Sequence, residues 1–275
     1  MSFEREPESE MIMQDADSVS GFTDAGDLRG PLSPIYHFGC HVLSRMIPEN
    51  GLVVDIGCGP AQFLTRLLQY RPDLTAIGTD LSDRMLANAR KLASDRDVVS
   101  RIQFVQADFS QVDVAIRRDV DAVICMSALH HCPDFDCLVS ALSAIGRLSQ
   151  RKSGAIWLFD LVRPDSRELC ELIPRTHEVA ARERLPESFK QDWQNSLLAG
   201  WTVNEFQEGL RHADLTLRSV SANYSQLHWS GSLSAGDLKL VNNTVFGSTG
   251  DDRAARLASS LGFDFPEVPK ISSSK

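Results

Sequence analysis

One ten-residue stretch, residues 52–61, constrains the fold of this chain more than any other. It opens with apolar residues interrupted only by Asp55, a pattern typical of a strand buried on both faces of a parallel sheet. Gly57 and Gly59 follow, and a helix is expected to begin near Pro60. The stretch therefore predicts a strand, a glycine turn and a helix whose first backbone amides can face a polar or anionic ligand.

The glycine turn fits a dinucleotide-binding loop poorly. Such a loop has the pattern Gly-x-Gly-x-x-Gly, and Gln62 occupies the place of its third glycine. Asp55 stands two residues before the first glycine, where such a loop normally keeps a small or apolar residue. The stretch instead resembles the first motif, acidic-x-Gly-x-Gly, of the class I S-adenosylmethionine-dependent methyltransferases.

The chain beyond this turn predicts strands that alternate with helices. Apolar segments beginning near residues 74, 102, 120 and 155 predict four more strands, separated by amphipathic helical patterns. This alternation implies a parallel sheet with helices on both faces. Two later segments, 215–220 and 227–229, predict a closing antiparallel pair. The expected fold class is therefore α/β, a Rossmann-like seven-stranded sheet that is mostly parallel with an antiparallel closing strand.

Polar residues follow every predicted parallel strand. Ligands of such sheets bind beyond the carboxyl ends of the strands, which meet at one edge. Beyond the glycine turn, these ends carry Asp80, Asp108, the segment 127–131 and Asp160. The sequence therefore predicts one site at this edge.

The acidic strand ends indicate an adenosine cofactor. Asp80, twenty-one residues after Gly59, stands where a carboxylate can accept hydrogen bonds from ribose hydroxyls, in NAD as well as in S-adenosylmethionine. Asp108 distinguishes S-adenosylmethionine from NAD, because in the methyltransferase family an acid at this position accepts a hydrogen bond from the adenine amino group. The resemblance covers roughly residues 50–162 and implies S-adenosyl-L-methionine as the cofactor. Its predicted binding residues are Asp55, Gly57, Cys58, Gly59, Asp80, Leu81, Asp108, Phe109 and Ser127.

Methyl transfer from a sulfonium is an in-line displacement, so orientation of the acceptor supplies most of the catalysis, about 7–11 kcal/mol. A base helps where the nucleophile is a hydroxyl or an acidic carbon. His130 and His131 follow the fourth strand, beside the expected methyl position, and Asp160 ends the neighbouring strand. We predict His131 as the base, with His130 and Asp160 as further catalytic residues. A structural or cofactor-side role for the histidines is the alternative.

The sequence favours a small organic methyl acceptor, on O, N or C. Residues 127–129 replace the motif, Asn or Asp followed by Pro-Pro-aromatic, of enzymes that methylate nucleobases or glutamine. The net charge is −9, whereas nucleic-acid binding needs a basic patch. Segment 163–214 is predicted to be a helical insertion or lid. Its aromatic residues either line the acceptor pocket or belong to a core: Phe189, Trp193 and Trp201.

The termini and the cysteines carry weaker signals. Residues 1–30 are predicted to be a flexible acidic tail, 31–230 the methyltransferase domain, and 231–275 an extension of unknown role. A helix over residues 32–47 either only packs on the domain or brings Tyr36 and His37 to the ligand. Six scattered cysteines are typical of reduced intracellular thiols, and their spacing predicts no metal site. With no apolar run of membrane-spanning length, the expected location is the cytoplasm, without a membrane partner.

Two other functions stay open. A nicotinamide-dependent oxidoreductase could use a similar sheet, but Asp55, Gln62 and the lack of a Tyr-x-x-x-Lys pair disfavour it. A catalytically silent partner or regulatory protein of the methyltransferase fold would keep the same sheet without turning over a substrate.

Overall fold

Seven strands form the centre of the part of the chain that the computed structural model describes, residues 3–8, 20–21, 23, 26, 32–181, 186–222, 224–233 and 237. They are β1 (Leu52–Ile56), β2 (Thr75–Asp80), β3 (Ile102–Gln106), β4 (Ala122–Met126), β5 (Ala155–Leu161), β6 (Arg218–Ala222) and β7 (Ser225–Trp229). Their order in the sheet is β3-β2-β1-β4-β5-β7-β6. Strands β1 to β5 are mutually parallel, and β7 is antiparallel to both β5 and β6. The predicted fold class is confirmed.

Eight α-helices accompany the sheet within those same ranges. They are α1 (Ser33–Met46), α2 (Gln62–Tyr70), α3 (Asp83–Asp95), α4 (Val112–Ala115), α5 (Phe135–Gln150), α6 (Arg167–Ala181), α7 (Glu187–Ala199) and α8 (Val203–His212). Local capping fixes several starts. Ser82 accepts the N–H of Met85 at 3.2 Å, and Thr202 and Glu205 form a capping box at the start of α8.

The two faces of the sheet bury separate apolar cores, because successive side chains of a strand point to opposite faces. In β1, Val53 lies in the core covered by α1, α2 and α3, and Val54 lies in the core covered by α4, α5 and α8. Both side chains are fully buried. This arrangement leaves the carboxyl ends of β1, β2, β3, β4 and β5 at one edge of the sheet.

The helices of segment 163–214 pack in two places. Helices α6 and α7 pack on each other, whereas α8 packs on α5 and places Phe206 and Leu210 in the core of the sheet domain. The helical insertion or lid over 163–214 stays a prediction. The apolar spacing of α8 is that of any helix with one buried face, so periodicity does not distinguish a lid from a helix that covers the sheet.

The flexible tail over 1–30 stays a prediction, and residues 3–8 contact the domain. The backbone N–H of Glu6 donates to Leu198 O at 3.1 Å, and Phe3 packs on Cys170 and Leu197. Most of 9–31 and of 231–275 lies outside the described residues. Asp237 forms an ion pair with Arg45 at 2.6 Å. None of the described helices is long and apolar enough to span a membrane.

Candidate active site

The glycine turn after β1 has the geometry that its sequence requires. Gly57 and Gly59 have φ of +66° and +52°, in the region that favours glycine. A Cβ on Gly57 would lie 2.6 Å from Cβ of Ala128 and 3.0 Å from the ring of Phe109. The turn therefore runs against the segment that follows β4, and α2 begins at Gln62, shortly after Pro60.

Asp55 is buried at the base of this turn, and its Oδ1 has no hydrogen-bond partner among the described residues. Burial, and then the nearby charge of Asp80, raise the pKa of the Asp55 carboxyl well above its usual value. The hydroxyl of Ser127 is also buried and unpartnered within the described part, and its backbone has φ of +53°. Such groups cost stability in the free protein, and ligands commonly satisfy them.

Asp80 closes the turn onto β2. Its Oδ2 accepts the backbone N–H of Gly59 at 2.9 Å, and its Oδ1 accepts that of Ser82 at 2.8 Å. Burial is the main influence on Asp80 and raises its pKa despite these bonds. Each carboxylate oxygen keeps a second lone pair, so the side chain can both brace the turn and accept a ligand hydroxyl.

Asp108 and Phe109 form the next wall. Oδ1 of Asp108 accepts two hydrogen bonds from Ser110, from its backbone N–H at 2.8 Å and from its hydroxyl at 2.6 Å. Asp108 thereby caps the 3-10 turn Phe109–Gln111. The Phe109 ring lies at Gly57, as the glycine contact shows. The structure therefore brings the predicted adenine-side residues to the glycine turn.

The remaining residues of the predicted cofactor set mainly support the turn. Cys58 donates its backbone N–H to Thr79 O at 2.8 Å, and burial raises the pKa of its thiol. The backbone oxygen of Leu81 accepts from Gln106 at 3.0 Å. Gln62, in the place of a third glycine, is buried and accepts from Arg96 at 2.8 Å.

The α1 residues Tyr36 and His37 are both buried. Tyr36 packs edge-on against Phe63 with ring centroids 5.5 Å apart. Burial lowers the pKa of His37 to about 3, so its ring is neutral near pH 7. Both residues lie on the buried face of α1, and their contact with the ligand stays a prediction. Burial raises the pKa of Tyr36, the charge of Arg66 opposes this rise, and that of Asp55 adds to it.

His130 is held inside the protein by Asp160. Oδ1 of Asp160 lies 2.6 Å from Nδ1 of His130, and Oδ2 accepts the backbone N–H of the same histidine at 3.0 Å. Burial opposes the charged imidazole, but Asp160 outweighs it and the pKa of His130 is raised. The pair anchors the 3-10 turn Leu129–His131 to the end of β5.

His131 is more accessible and faces a residue that the sequence did not indicate. Its Nδ1 lies 2.9 Å from Oε2 of Glu8, at ion-pair distance though without the alignment of a hydrogen bond. Burial opposes ionisation of Glu8, but His131, His130 and Ser196 together lower its pKa to about 2. After the dominant effect of burial, the charge of His131 also acts on Asp80, so the histidine lies within electrostatic range of the predicted ribose site.

Arg5 also helps to hold the 3-10 turn Leu129–His131 in place. Its guanidinium lies 3.8 Å above the centre of the Trp201 ring, and Trp201 donates to Leu129 O at 2.9 Å. The guanidinium donates to four backbone oxygens at 2.6–2.9 Å, those of His130, Cys132, Pro133 and Ala199. Sequence reasoning missed Arg5 and Glu8, because a short charged segment far from the motifs carries no periodic signal.

Glu8, His130 and His131 also bring together ligand types that metal ions use. One carboxylate oxygen and one nitrogen from each ring lie within 4.8 Å of one another. The ion pairs with Glu8 and the bond from His130 to Asp160 already account for this arrangement. The sequence-based expectation of no metal stays a prediction.

Comparisons with known proteins find methyltransferase relatives. A family model described as "Methyltransferase domain" matches residues 53–151. A carboxy-S-adenosyl-L-methionine synthase from Campylobacter concisus is 30% identical over 112 residues, 40% of this chain and 47% of that protein. A ubiquinone biosynthesis O-methyltransferase from Xanthomonas axonopodis pv. citri is 26% identical over 203 residues, 71% of this chain and 77% of that protein. The first of these matches spans less than half of the relative's length.

Solved structures show the same fold. An O-methyltransferase family protein from Burkholderia thailandensis superposes with a TM-score of 0.57 at 18% identity, over 81% of this chain and 61% of that chain. A methyltransferase from Aquifex aeolicus superposes with a TM-score of 0.51 at 13% identity, over 79% of this chain and 98% of that chain. At these identities the likeness concerns the fold alone.

Proposed function

We propose that this chain, which belongs to the class I S-adenosylmethionine-dependent methyltransferases through residues 53–151, transfers a methyl group to a hydroxyl oxygen of a small organic acceptor. The family is one of enzymes, and its cofactor is S-adenosyl-L-methionine. The observation that carries the proposal is the glycine turn inside the matched domain, with the buried Asp55 beneath it, whose Oδ1 has no partner in the described part of the chain. The nicotinamide-dependent alternative loses support, since the matched family is a different one.

The residues at the turn fit this cofactor. When bound, it supplies a methyl group on a sulfonium, whose carbon–sulfur bond breaks with its electrons leaving on sulfur. Gly57 lets the turn pack closely against Ala128 and Phe109. Asp55 and Ser127 offer the ligand buried polar atoms that have no partner among the described residues. Asp80 would accept from ribose hydroxyls through its spare lone pairs, and Oδ2 of Asp108 would accept from the adenine amino group.

His131 is the proposed base for the acceptor. With Nδ1 facing Glu8, Nε2 remains as the ring nitrogen that can take the proton of the acceptor hydroxyl. His130 and Asp160 hold the turn on which His131 stands, so they orient the base. Because His130 and Asp160 are buried and bonded to each other, orientation of the base explains their role better than direct contact with the acceptor.

Two observations support a hydroxyl oxygen as the methylated atom of the acceptor. A base is needed for a hydroxyl acceptor, and the relative that matches over 71% of this chain is described as an O-methyltransferase. The negative net charge supports a small molecule in preference to a nucleic acid. The six cysteines are all unbridged, which is consistent with the proposed cytoplasmic location.

The test is a methyl-transfer screen. The purified protein is incubated with methyl-labelled S-adenosylmethionine and a panel of phenols, hydroxy acids and amines, and labelled product and S-adenosylhomocysteine are measured together. We expect stoichiometric product with one class of hydroxyl compound, and its loss in His131→Ala. Binding of the cofactor without turnover of any acceptor class would favour the silent partner protein. Methylation of amines alone would identify nitrogen, and not oxygen, as the acceptor atom.

A further inference from the structure

The N-terminal segment 3–8 is seated on the candidate active site through contacts along its whole length. Phe3 packs on α6 and α7, and Glu6 pairs with Arg167 at the surface. Between them, Arg5 donates to backbone oxygens on both sides of the site, those after His131 and that of Ala199. The contacts of Phe3 and Arg5 place Glu8 at the histidine turn, whereas the surface pair of Glu6 does not reach the histidines.

Glu8 is held in one orientation there. Its Oε1 accepts the hydroxyl of Ser196 at 2.9 Å and lies 4.0 Å from Nε2 of His130. Its Oε2 faces Nδ1 of His131 at 2.9 Å. The side chain is 17% exposed, and its pKa is lowered to about 2, so it is ionised throughout the neutral range.

The turn thus carries two carboxylate–histidine pairs side by side. Asp160 faces Nδ1 of His130, and Glu8 faces Nδ1 of His131, with the two rings 4.3 Å apart. A carboxylate beside one ring nitrogen favours the proton on that nitrogen and leaves the other nitrogen as the proton acceptor. Asp160 does this for a buried ring, whereas Glu8 does it for the more accessible one.

We propose that Glu8 is a positioning residue for His131, so that segment 3–8 completes the active site on the acceptor side. This inference rests on the proposed function for the role of His131 as base. The negative charge of Glu8, 2.9 Å from Nδ1 of His131, favours the proton on that nitrogen and keeps the ring in place. The proton of the acceptor hydroxyl then moves to Nε2, and the imidazolium formed is stabilised by the carboxylate beside it.

The chain offers a matched control within the same segment. Glu8→Gln and Glu6→Gln each remove one negative charge at nearly constant volume, but Glu6 pairs with Arg167 at the surface and not with a histidine. Histidine side-chain nitrogen spectra should place the proton of His131 on Nδ1 in the unmodified protein. We expect Glu8→Gln to shift the His131 nitrogens and leave those of His130 in place, while Glu6→Gln changes neither.

The second arm measures catalysis with the hydroxyl acceptor found in the screen. Glu8→Gln should lower kcat about 10–100-fold, up to the lower end of the roughly 100- to 10,000-fold that a general base contributes, with binding of S-adenosylhomocysteine changed less than twofold. Glu8→Ala should be partly rescued by added formate, which a purely structural role would not produce. If Glu8→Ala fails to fold, Ser196→Ala, which removes only the bond to Glu8, should show a smaller loss in kcat.

The outcomes separate the two hypotheses. Unchanged His131 nitrogens in Glu8→Gln would overturn the positioning role, whatever the acceptor. If no acceptor is turned over, the proposed function fails and the spectra still decide the positioning. Stoichiometric binding of Co²⁺ that is lost in Glu8→Gln would make Glu8 a metal ligand instead, and would also overturn the proposal.

Discussion

Asp160 holds both the ring and the backbone of His130: Oδ1 lies 2.6 Å from Nδ1, and Oδ2 accepts the backbone N–H at 3.0 Å. Because Asp160 ends β5 and His130 follows β4, this pair joins two adjacent strand ends at the mouth of the sheet. Both side chains are at most 4% exposed. The position of the neighbouring His131 therefore depends on a buried ion pair.

Asp160→Asn should destabilise the protein strongly. Removal of one partner leaves the other uncompensated in the interior, which typically costs about 3–5 kcal/mol. For a chain of this size the thermal midpoint should fall by roughly 6–15 °C, measured by calorimetry or circular dichroism. Glu208→Gln breaks a surface pair with His212 and is the control, with little change expected in the midpoint. Equal midpoints for Asp160→Asn and the unmodified protein would contradict this account of the turn.

Gly57→Ala should lower the free energy of unfolding by more than the positive φ at this position explains. Both Gly57 and Gly231 have positive φ, +66° and +79°, which costs roughly 1–2 kcal/mol for alanine. Only at Gly57 would the new Cβ collide, 2.6 Å from Ala128, whereas at Gly231 the nearest atom is 3.7 Å away. The collision should add about 1–3 kcal/mol.

Urea unfolding of the two alanine variants gives the comparison, and titration with S-adenosylhomocysteine gives the functional counterpart. We expect Gly57→Ala to lose binding and Gly231→Ala to retain it. Similar stabilities in both variants would show that the turn is not closely packed against Ala128.

Asp55→Asn should stabilise the cofactor-free protein above acidic pH. Burial, and then Asp80, raise the pKa of the Asp55 carboxyl in the folded state, so the folded protein binds the proton more tightly than the unfolded chain. The stability due to this group is therefore fully present below the unfolded pKa and is lost as pH rises through the folded pKa. The side-chain amide introduced by Asp55→Asn does not ionise, so the variant does not lose this stability as pH rises.

The thermal midpoints of Asp55→Asn and the unmodified protein should therefore diverge as pH rises from about 4 to 8, with the variant higher by roughly 2–6 °C for a gain of about 1–2 kcal/mol. Asp119→Asn, at an exposed position, is the control and should show no divergence. Curves that stay parallel over this range would mean that Asp55 carries no such penalty.

The sheet and its polar edge could be predicted because both depend on local patterns. Buried parallel strands are continuous apolar segments, and each ends in a polar residue that is visible in the sequence, as with Asp80 and Asp108. The backbone role of Asp80, which accepts from Gly59 and Ser82, was not predicted. That role depends on the approach of two strand ends, which residue spacing does not specify.

The contribution of segment 3–8 could not be predicted for a different reason. The contact from Glu8 to His131 joins residues more than a hundred positions apart, and an acidic terminal segment has the composition of a tail. The stacking of Arg5 on Trp201 and its bonds to backbone oxygens depend on tertiary placement alone. The place of α8 in the core could not be predicted, because a helix has the same apolar period whether it covers a pocket or a sheet.

The most direct measurement is calorimetric titration of the purified protein with S-adenosylhomocysteine, S-adenosylmethionine and NAD, repeated on Asp80→Asn. The account predicts binding of both sulfur nucleosides and not of NAD, weakened at least about 30-fold in the variant by the loss of about 2 kcal/mol or more from charge-assisted hydrogen bonds. Circular dichroism should show that the variant stays folded. Binding of NAD, or equal affinity for S-adenosylhomocysteine in both proteins, would contradict the account.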